Sequence, residues 1–522
     1  MRLFCAGSLL CAVAWTAPAS IAQEQRNDWP VSGSDIGHSG WQKDELGLTP
    51  ESVPGSFKFL WKIKLGEPSK TASTFSEPLL AGRLINAQGF KDFVYWSSAD
   101  TLYAVDSELG NLLWKKQFDA VATKAPAGCA VSSLPTLIEP PVVINFAARR
   151  KRPPGTPRPP DPPTLQSNER KLGVAPGGGY FGFKGIYVLT PDGMLHEQIM
   201  TTGADFAPPV KFLPAANANA ADLNIADKAI YTATGHDCGD TPNGLWSIDL
   251  NSGTYSVASY NSQKVHPLNL TGPVLNAEGT GFLVTGPGTS DASAGVYPSS
   301  VVAIGKDMKV KDWYTPEGGV ASYENVSPIA IDYKDKHLIV APGKDGTIAL
   351  LDAASLGGAD HQTALAQTQP LTKAGEKHGW DGFASWQKDG VTWVYASISA
   401  PISLSSSSLS QNAPAIHGAV VAFKVSDSDG KPMLEPAWVS PDMVNPAPPR
   451  VTNGVLIALA RGDSGHNATL HVLNAATGAE LYSSKDLIPT YTGLSGVAVG
   501  DSHAFFTDHD NVLYSFGIGL EH

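Results

Sequence analysis

One thirteen-residue stretch constrains this chain more than any other: Leu102-Tyr103-Ala104-Val105-Asp106-Ser107-Glu108-Leu109-Gly110-Asn111-Leu112-Leu113-Trp114. Leu102 to Val105 reads as a β-strand, Asp106 to Gly110 as a turn closed by glycine, and Leu112 to Trp114 as a returning strand with an aromatic anchor. Degraded copies recur at Ile186 to Leu189, Leu245 to Asp249, Val301 to Ile304, Ile348 to Asp352, Val420 to Phe423, Leu470 to Asn474 and Leu513 to Phe516. Aligned on Ala104, the eight copies are spaced by 43 to 84 positions. The shortest spacing matches the roughly 40 to 50 residues of one four-stranded propeller blade, and the longer ones imply loop insertions. The expected fold is all-β, an eight-bladed β-propeller of four-stranded antiparallel blades.

A length of 522 residues suits one closed ring, and 52 glycines with 40 prolines is the turn-rich composition of an all-β protein. The formal charge of −12 disfavours a nucleic-acid partner. Residues 1 to 22 read as a signal peptide, with Arg2, an apolar run from Leu3 to Trp15 and a small-residue cleavage site near Ala22. The mature chain, residues 23 to 522, is then a single domain, periplasmic or secreted, with no later run long enough for a membrane span. Cys129 and Cys238 remain after cleavage, and an oxidising compartment favours a disulfide between loops of the first and third copies. With no Cys-x-x-Cys-His, the chain carries no c-type haem.

The strand Phe57 to Lys64 alternates apolar and charged residues around Trp61, like an outer strand with no inner strands before it, whereas the last copy has no outer strand after it. Trp61 is therefore expected to complete the last blade and close the ring. Asp28 to Trp41 reads as coil; Arg149 to Pro163 is a basic, proline-rich loop, and Ser403 to Ser410 a flexible excursion. Segments joining the second and third strands of a blade all emerge on one face. They are short at 97 to 101, 342 to 347 and 507 to 512, but long at 232 to 244, 286 to 300 and 399 to 418, so a binding site is expected on the axis at that face.

The repeat pattern Ala-x-Asp-x-x-x-Gly-x-x-x-Trp, the start Trp29-Pro30-x-x-Gly33-x-Asp35 and closure by the N-terminal strand resemble the quinoprotein-like, or pyrroloquinoline-quinone-binding-like, eight-bladed propellers. That resemblance implies pyrroloquinoline quinone and Ca²⁺ as cofactors in the dehydrogenase members, and none in members that serve as partner-binding scaffolds. The family's metal-binding Thr-Gly-Asn stands here as Thr234-Gly235-His236, where Asp237, Asp240 and Asn243 offer oxygens. Its His-Asp-x-x-Trp-Asp segment is replaced by Lys264 to Asn269, and its vicinal cysteine pair is absent. A substitute constellation is His378-Gly379-Trp380-Asp381, which joins an imidazole, an aromatic plane and a carboxylate.

These readings assign Asp381 and His378 to catalysis, His236, Trp380 and Lys344 to the cofactor, and Asp237 and Asp240 to the metal. Beside each stands a structural reading: Trp380 packing its blade, Asp381-Gly382 and Lys344-Asp345 forming turns, His236 and Asp237 closing a loop hydrogen-bond network. Two functions stay open. One is a quinone-dependent alcohol or polyol dehydrogenase with an external electron acceptor; the other is a non-catalytic scaffold for a protein or cell-envelope polymer.

Overall fold

The structure, a computed structural model, describes residues 28 to 519 apart from 67–75, 87–88, 99, 120–128, 130–132, 138–184, 251–254, 268–270, 320–325, 345, 374, 377–378, 405–409, 412–413 and 429. The expected signal peptide, the basic loop 149–163, His378 and Asp345 lie outside the described residues. Eight antiparallel sheets follow one another along the chain. Blade 1 runs Leu79–Asn86, Gly89–Ser97, Thr101–Asp106, Leu112–Gln117 from the inside outwards, and blades 2 to 7 repeat the order. Blade 8 takes Ala498–Gly500, His503–Thr507 and Val512–Ile518 from the C-terminal end, and its outer strand is Phe57–Lys64. Trp61 pairs with Ser515, so the closure expected from the orphan strand is present.

Seven of the eight repeat copies are third strands. The copy at Ile186 is a correction: Gly185–Leu189 is the second strand of blade 2, and Met194–Ile199 is the third. Gly185–Leu189 is a mostly buried apolar run like the third strands elsewhere, and Thr190-Pro191-Asp192-Gly193 after it imitates the Asp-to-Gly turn that marks the third strand in other blades. The serine-rich excursion also differs at its end, where Ser410–Gln411 pairs in parallel with Trp438–Val439 as an added edge of blade 6.

The structure explains why the repeat couples a glycine to a tryptophan. Gly110, Gly203 and Gly478 close the turn between third and outer strands, at φ of +68°, +69° and +73°, conformations that glycine adopts without strain. The tryptophan of the preceding blade lies flat on each: a Cβ there would come 2.5 to 2.7 Å from the indoles of Trp61, Trp114 and Trp438. Each indole N–H then donates to the carbonyl three residues before its glycine, Trp61 to Ser107 (2.9 Å), Trp114 to Met200 (3.1 Å) and Trp438 to Ala475 (3.1 Å). Glycine and tryptophan are thus one joint between successive blades, and Trp61 with Gly110 is the joint that seals last blade to first.

Residues 28–42, expected as coil up to Trp41, line the axis. An inner strand has one edge unpaired towards the channel, a row of backbone groups that needs partners. This segment meets all eight inner edges. Trp29 exchanges two backbone bonds with Leu80 of blade 1, and Pro30 O accepts from Leu137 of blade 2. Ile36 O accepts from Asn224 Nδ2 of blade 3 and from Leu275 N of blade 4. Gly37, Ser39 and Gly40 carbonyls take Ala330, Ser385 and Val451 N–H of blades 5 to 7, and Gln42 Nε2 donates to Val499 O of blade 8. Asp35 caps the turn by accepting from Ser39 N and Oγ (2.9 and 2.7 Å), so Gly33 and Asp35 of the starting motif serve the shape of this ring.

Candidate functional site

Just above that ring, residues near the starts of the inner strands and, in blade 7, the residue just past the second strand bring charged side chains to the axis. Glu77, from blade 1, is 3% exposed and accepts from Trp29 Nε1 (2.7 Å), Ser32 Oγ (3.1 Å), Gly33 N (3.1 Å) and Arg450 Nη2 (2.6 Å). Arg450, from blade 7, also donates through Nε to Val497 O (2.9 Å) and lies over the Trp29 ring. A second pair joins Asp381 of blade 6 to Arg461 of blade 7 at 3.1 Å, with Ser399 Oγ donating to the other carboxylate oxygen at 2.6 Å. Asp222 of blade 3 completes the group, bonded to Ser32 and repelled by Glu77.

Three carboxyl groups therefore share the axis with two guanidinium groups, and one acid is left without a full countercharge. Burial and the Glu77 charge push Asp222 up to about 7, and burial, opposed by Arg461 and Ser399, pushes Asp381 up to about 6. Both pKa values exceed those of the unfolded chain. The stability these groups contribute is full below about pH 4, where the unfolded chain also holds the protons, and is lost as pH rises through about 6 to 7. Asp222→Asn is expected to flatten the fall in unfolding free energy over that window, by up to ~1.4 kcal/mol per pH unit, in denaturant titrations at pH 4 to 8. An unchanged slope would show that Asp222 titrates normally.

A cavity of about 20 Å³ lies between His38, Thr271, Ser327, Asp381, Gly382 and Arg450. It has room for about one water molecule. Burial pushes His38 down to about 4, so the ring facing this cavity is neutral, with Nε2 3.2 Å from Asn224 Nδ2.

The residues singled out from the sequence fall in three places. Asp381 is at the axis, beside a bulge between Trp380 and Gly382 in the inner strand of blade 6. Trp380, next to it, points the other way: it is 2% exposed, packs on Phe383 at 5.5 Å between ring centroids and donates Nε1–H to Gly343 O at 3.0 Å. Lys344 is exposed on the short loop of blade 5. His236, Asp237 and Asp240 share the loop between the second and third strands of blade 3, each with positive φ. There His236 N–H donates to His266 Nδ1 and the two rings stack at 5.2 Å. Asp237 accepts from Asn243 Nδ2 (3.0 Å) and pairs with Lys264 (3.1 Å); Asp237 and Asp240 are both exposed. This loop is tied down by the Cys129–Cys238 disulfide, which reaches from the connection between blades 1 and 2 across to blade 3.

Sequence reasoning missed Glu77, Asp222, Arg450 and Arg461. It also missed a row on the same face over blades 6 and 7, where Asp442 receives His417 Nδ1 (2.6 Å) and the N–H groups of Ile416 and His417, and Asp463 receives His466 Nδ1 (2.9 Å). The His417 and His466 rings are 6.0 Å apart, and Ile416 is 59% exposed beside them. The available signal was the placement of two histidines in second-to-third strand segments.

The residues present do not fit a quinone held over Ca²⁺ in the manner the resemblance implies. Trp380 offers no face to a planar ring, and Asp237 is committed to Lys264 and Asn243.

No protein-family model matches the chain, and no curated protein sequence does. Solved structures do match in fold. A quinohemoprotein alcohol dehydrogenase from Comamonas testosteroni is similar at a TM-score of 0.58 and 14% identity, over 95% of this chain and 81% of that one. A second quinohemoprotein alcohol dehydrogenase, from Pseudomonas putida, gives 0.55 and 12% over the same shares. A europium-containing methanol dehydrogenase gives 0.53 and 11%, over 94% of this chain and 98% of that one.

Proposed function

We propose that this chain, which shares its eight-bladed fold with solved quinohemoprotein alcohol dehydrogenases and a methanol dehydrogenase at low identity, is a non-catalytic binding propeller, exported to the periplasm or beyond, which holds a protein or cell-envelope polymer against its loop face. The observation that carries this reading is the engagement of the groups a quinone would need: Trp380 lies in the core between blades 5 and 6 with its N–H on Gly343, and Asp237 is bound to Lys264 and Asn243. The same face offers the long second-to-third strand loops of blades 3, 4 and 6, a disulfide brace and the exposed Ile416 beside paired histidines. The disulfide also favours an oxidising compartment.

Asp381 favours a second reading, alcohol or polyol oxidation with an external acceptor. Its carboxyl, pushed up to about 6 and facing the axis, has the pKa of a usable general base. Calorimetric titration of the mature chain with pyrroloquinoline quinone, in the presence and absence of Ca²⁺, separates the two. The binding-propeller reading expects a flat trace; a saturable Ca²⁺-dependent heat that Asp237→Ala and Asp240→Ala remove would support the dehydrogenase instead.

A further inference from the structure

On the end of the ring opposite the loop face, two turns meet at the closure between first and last blades. One joins the third and outer strands of blade 1 and carries Ser107 and Glu108; the other joins the first and second strands of blade 8 and carries Asp501 and Ser502, followed by His503. A carboxylate oxygen of Glu108, one of Asp501 and a ring nitrogen of His503 all lie within 4.8 Å of one another. Asp92, from the second strand of blade 1, is hydrogen-bonded to Asp501.

His503 makes this more than an acidic cluster. It is 1% exposed, and neither ring nitrogen has a hydrogen-bond partner among the described residues. Asp501 Oδ2 lies 3.9 Å from its Nδ1, beyond hydrogen-bond reach. An unpartnered imidazole at such depth costs stability unless a ligand satisfies it. The surroundings also fix its position. Gly517 pairs with His503 across the sheet, and a Cβ at 517 would strike the imidazole; Phe505 packs edge-on at 5.5 Å. Asp501 is held by Ser107 Oγ at 2.9 Å, and Ser502 N–H donates to Glu45 at 2.6 Å, so the turn is braced from two sides.

We propose that Glu108, Asp501 and His503 form a structural site for a divalent transition-metal cation such as Zn²⁺, which pins blade 8 to blade 1. The donor set is one imidazole with carboxylates and no sulfur, which suits Zn²⁺ or Mn²⁺ better than Ca²⁺. One further feature agrees: Asp92, Glu108 and Asp501 gather three carboxyl groups at one place, a concentration of negative charge that a dication relieves. The location has a mechanical sense as well: Trp61 of the closing strand donates to Ser107 O, one residue from Glu108, so the cation would reinforce the last joint of the ring. This site is independent of what the loop face binds.

The test is calorimetric titration of the metal-stripped mature chain with ZnCl₂, with CaCl₂ as the comparison, together with the absorption spectrum of the Co²⁺-loaded chain. One Zn²⁺ per chain is expected, with Ca²⁺ bound at least tenfold more weakly, and a Co²⁺ spectrum showing nitrogen and oxygen donors. Glu108→Gln, on a partly exposed turn, leaves the fold intact and is expected to weaken Zn²⁺ at least tenfold, as is His503→Gln if it folds. His417→Ala with His466→Ala, on the opposite face, should leave that affinity unchanged. Zn²⁺ binding that survives Glu108→Gln, or is lost in the His417 and His466 variant, overturns the assignment. Failure of the intact chain to bind Zn²⁺ at micromolar concentration overturns it too.

Discussion

A chain that begins after residue 66 is expected to lose cooperative folding altogether, not to shorten by a tail. Two separate functions leave with those residues. The strand Phe57–Lys64 is the outer strand of blade 8, and without it Val512–Ile518 becomes a bare edge and Gly110 loses the indole of Trp61. Residues 28–42 are the partners of eight inner edges, whose backbone groups would be left to the channel. Circular dichroism with thermal melting of the truncated and mature chains decides the matter: a truncated chain that melts in one sharp transition at the mature temperature would contradict this role for the N-terminal segment.

Glu77→Ala should lower the unfolding free energy by about 3–5 kcal/mol, because it strands a buried guanidinium. The Arg450–Glu77 pair has both side chains 2% exposed, and no water can replace the lost carboxylate cheaply. The same truncation also frees Trp29 Nε1, Ser32 Oγ and Gly33 N, so the loss reaches the axial segment as well. Glu77→Gln, which keeps an acceptor, should cost less. Equilibrium denaturation in urea measures both; a loss under about 1 kcal/mol for the alanine variant would mean that Arg450 finds another partner.

Much of this architecture is written locally, and that part was legible. A strand, an Asp-to-Gly turn and a tryptophan recur because each blade must make the same joint with its neighbour, and seven third strands and the closure by Trp61 follow from that pattern. The bridge between Cys129 and Cys238 was also readable, from compartment and count. What escaped depends on distance. Residues 28–42 bond through backbone atoms and a few polar side chains to strands spread over the whole chain, and such pairing leaves no periodicity. Glu77 and Arg450 stand 373 positions apart, so each reads alone as an ordinary surface charge. Trp380-Asp381-Gly382 was misleading for a physical reason: the bulge after Trp380 turns Asp381 to the axis while the indole stays in the core, so neighbours in sequence face different surroundings.

The central claim, that this propeller binds at its loop face and does not oxidise alcohols with a quinone, is tested most directly by turnover. The mature chain, incubated with pyrroloquinoline quinone and Ca²⁺, would be assayed with an artificial dye acceptor against a panel of primary alcohols and polyols, beside Asp381→Asn. The account predicts dye reduction at the level of the quinone alone for both chains. Quinone-dependent turnover by the unmodified chain that Asp381→Asn abolishes would contradict it and make the axial carboxylate the base of a dehydrogenase.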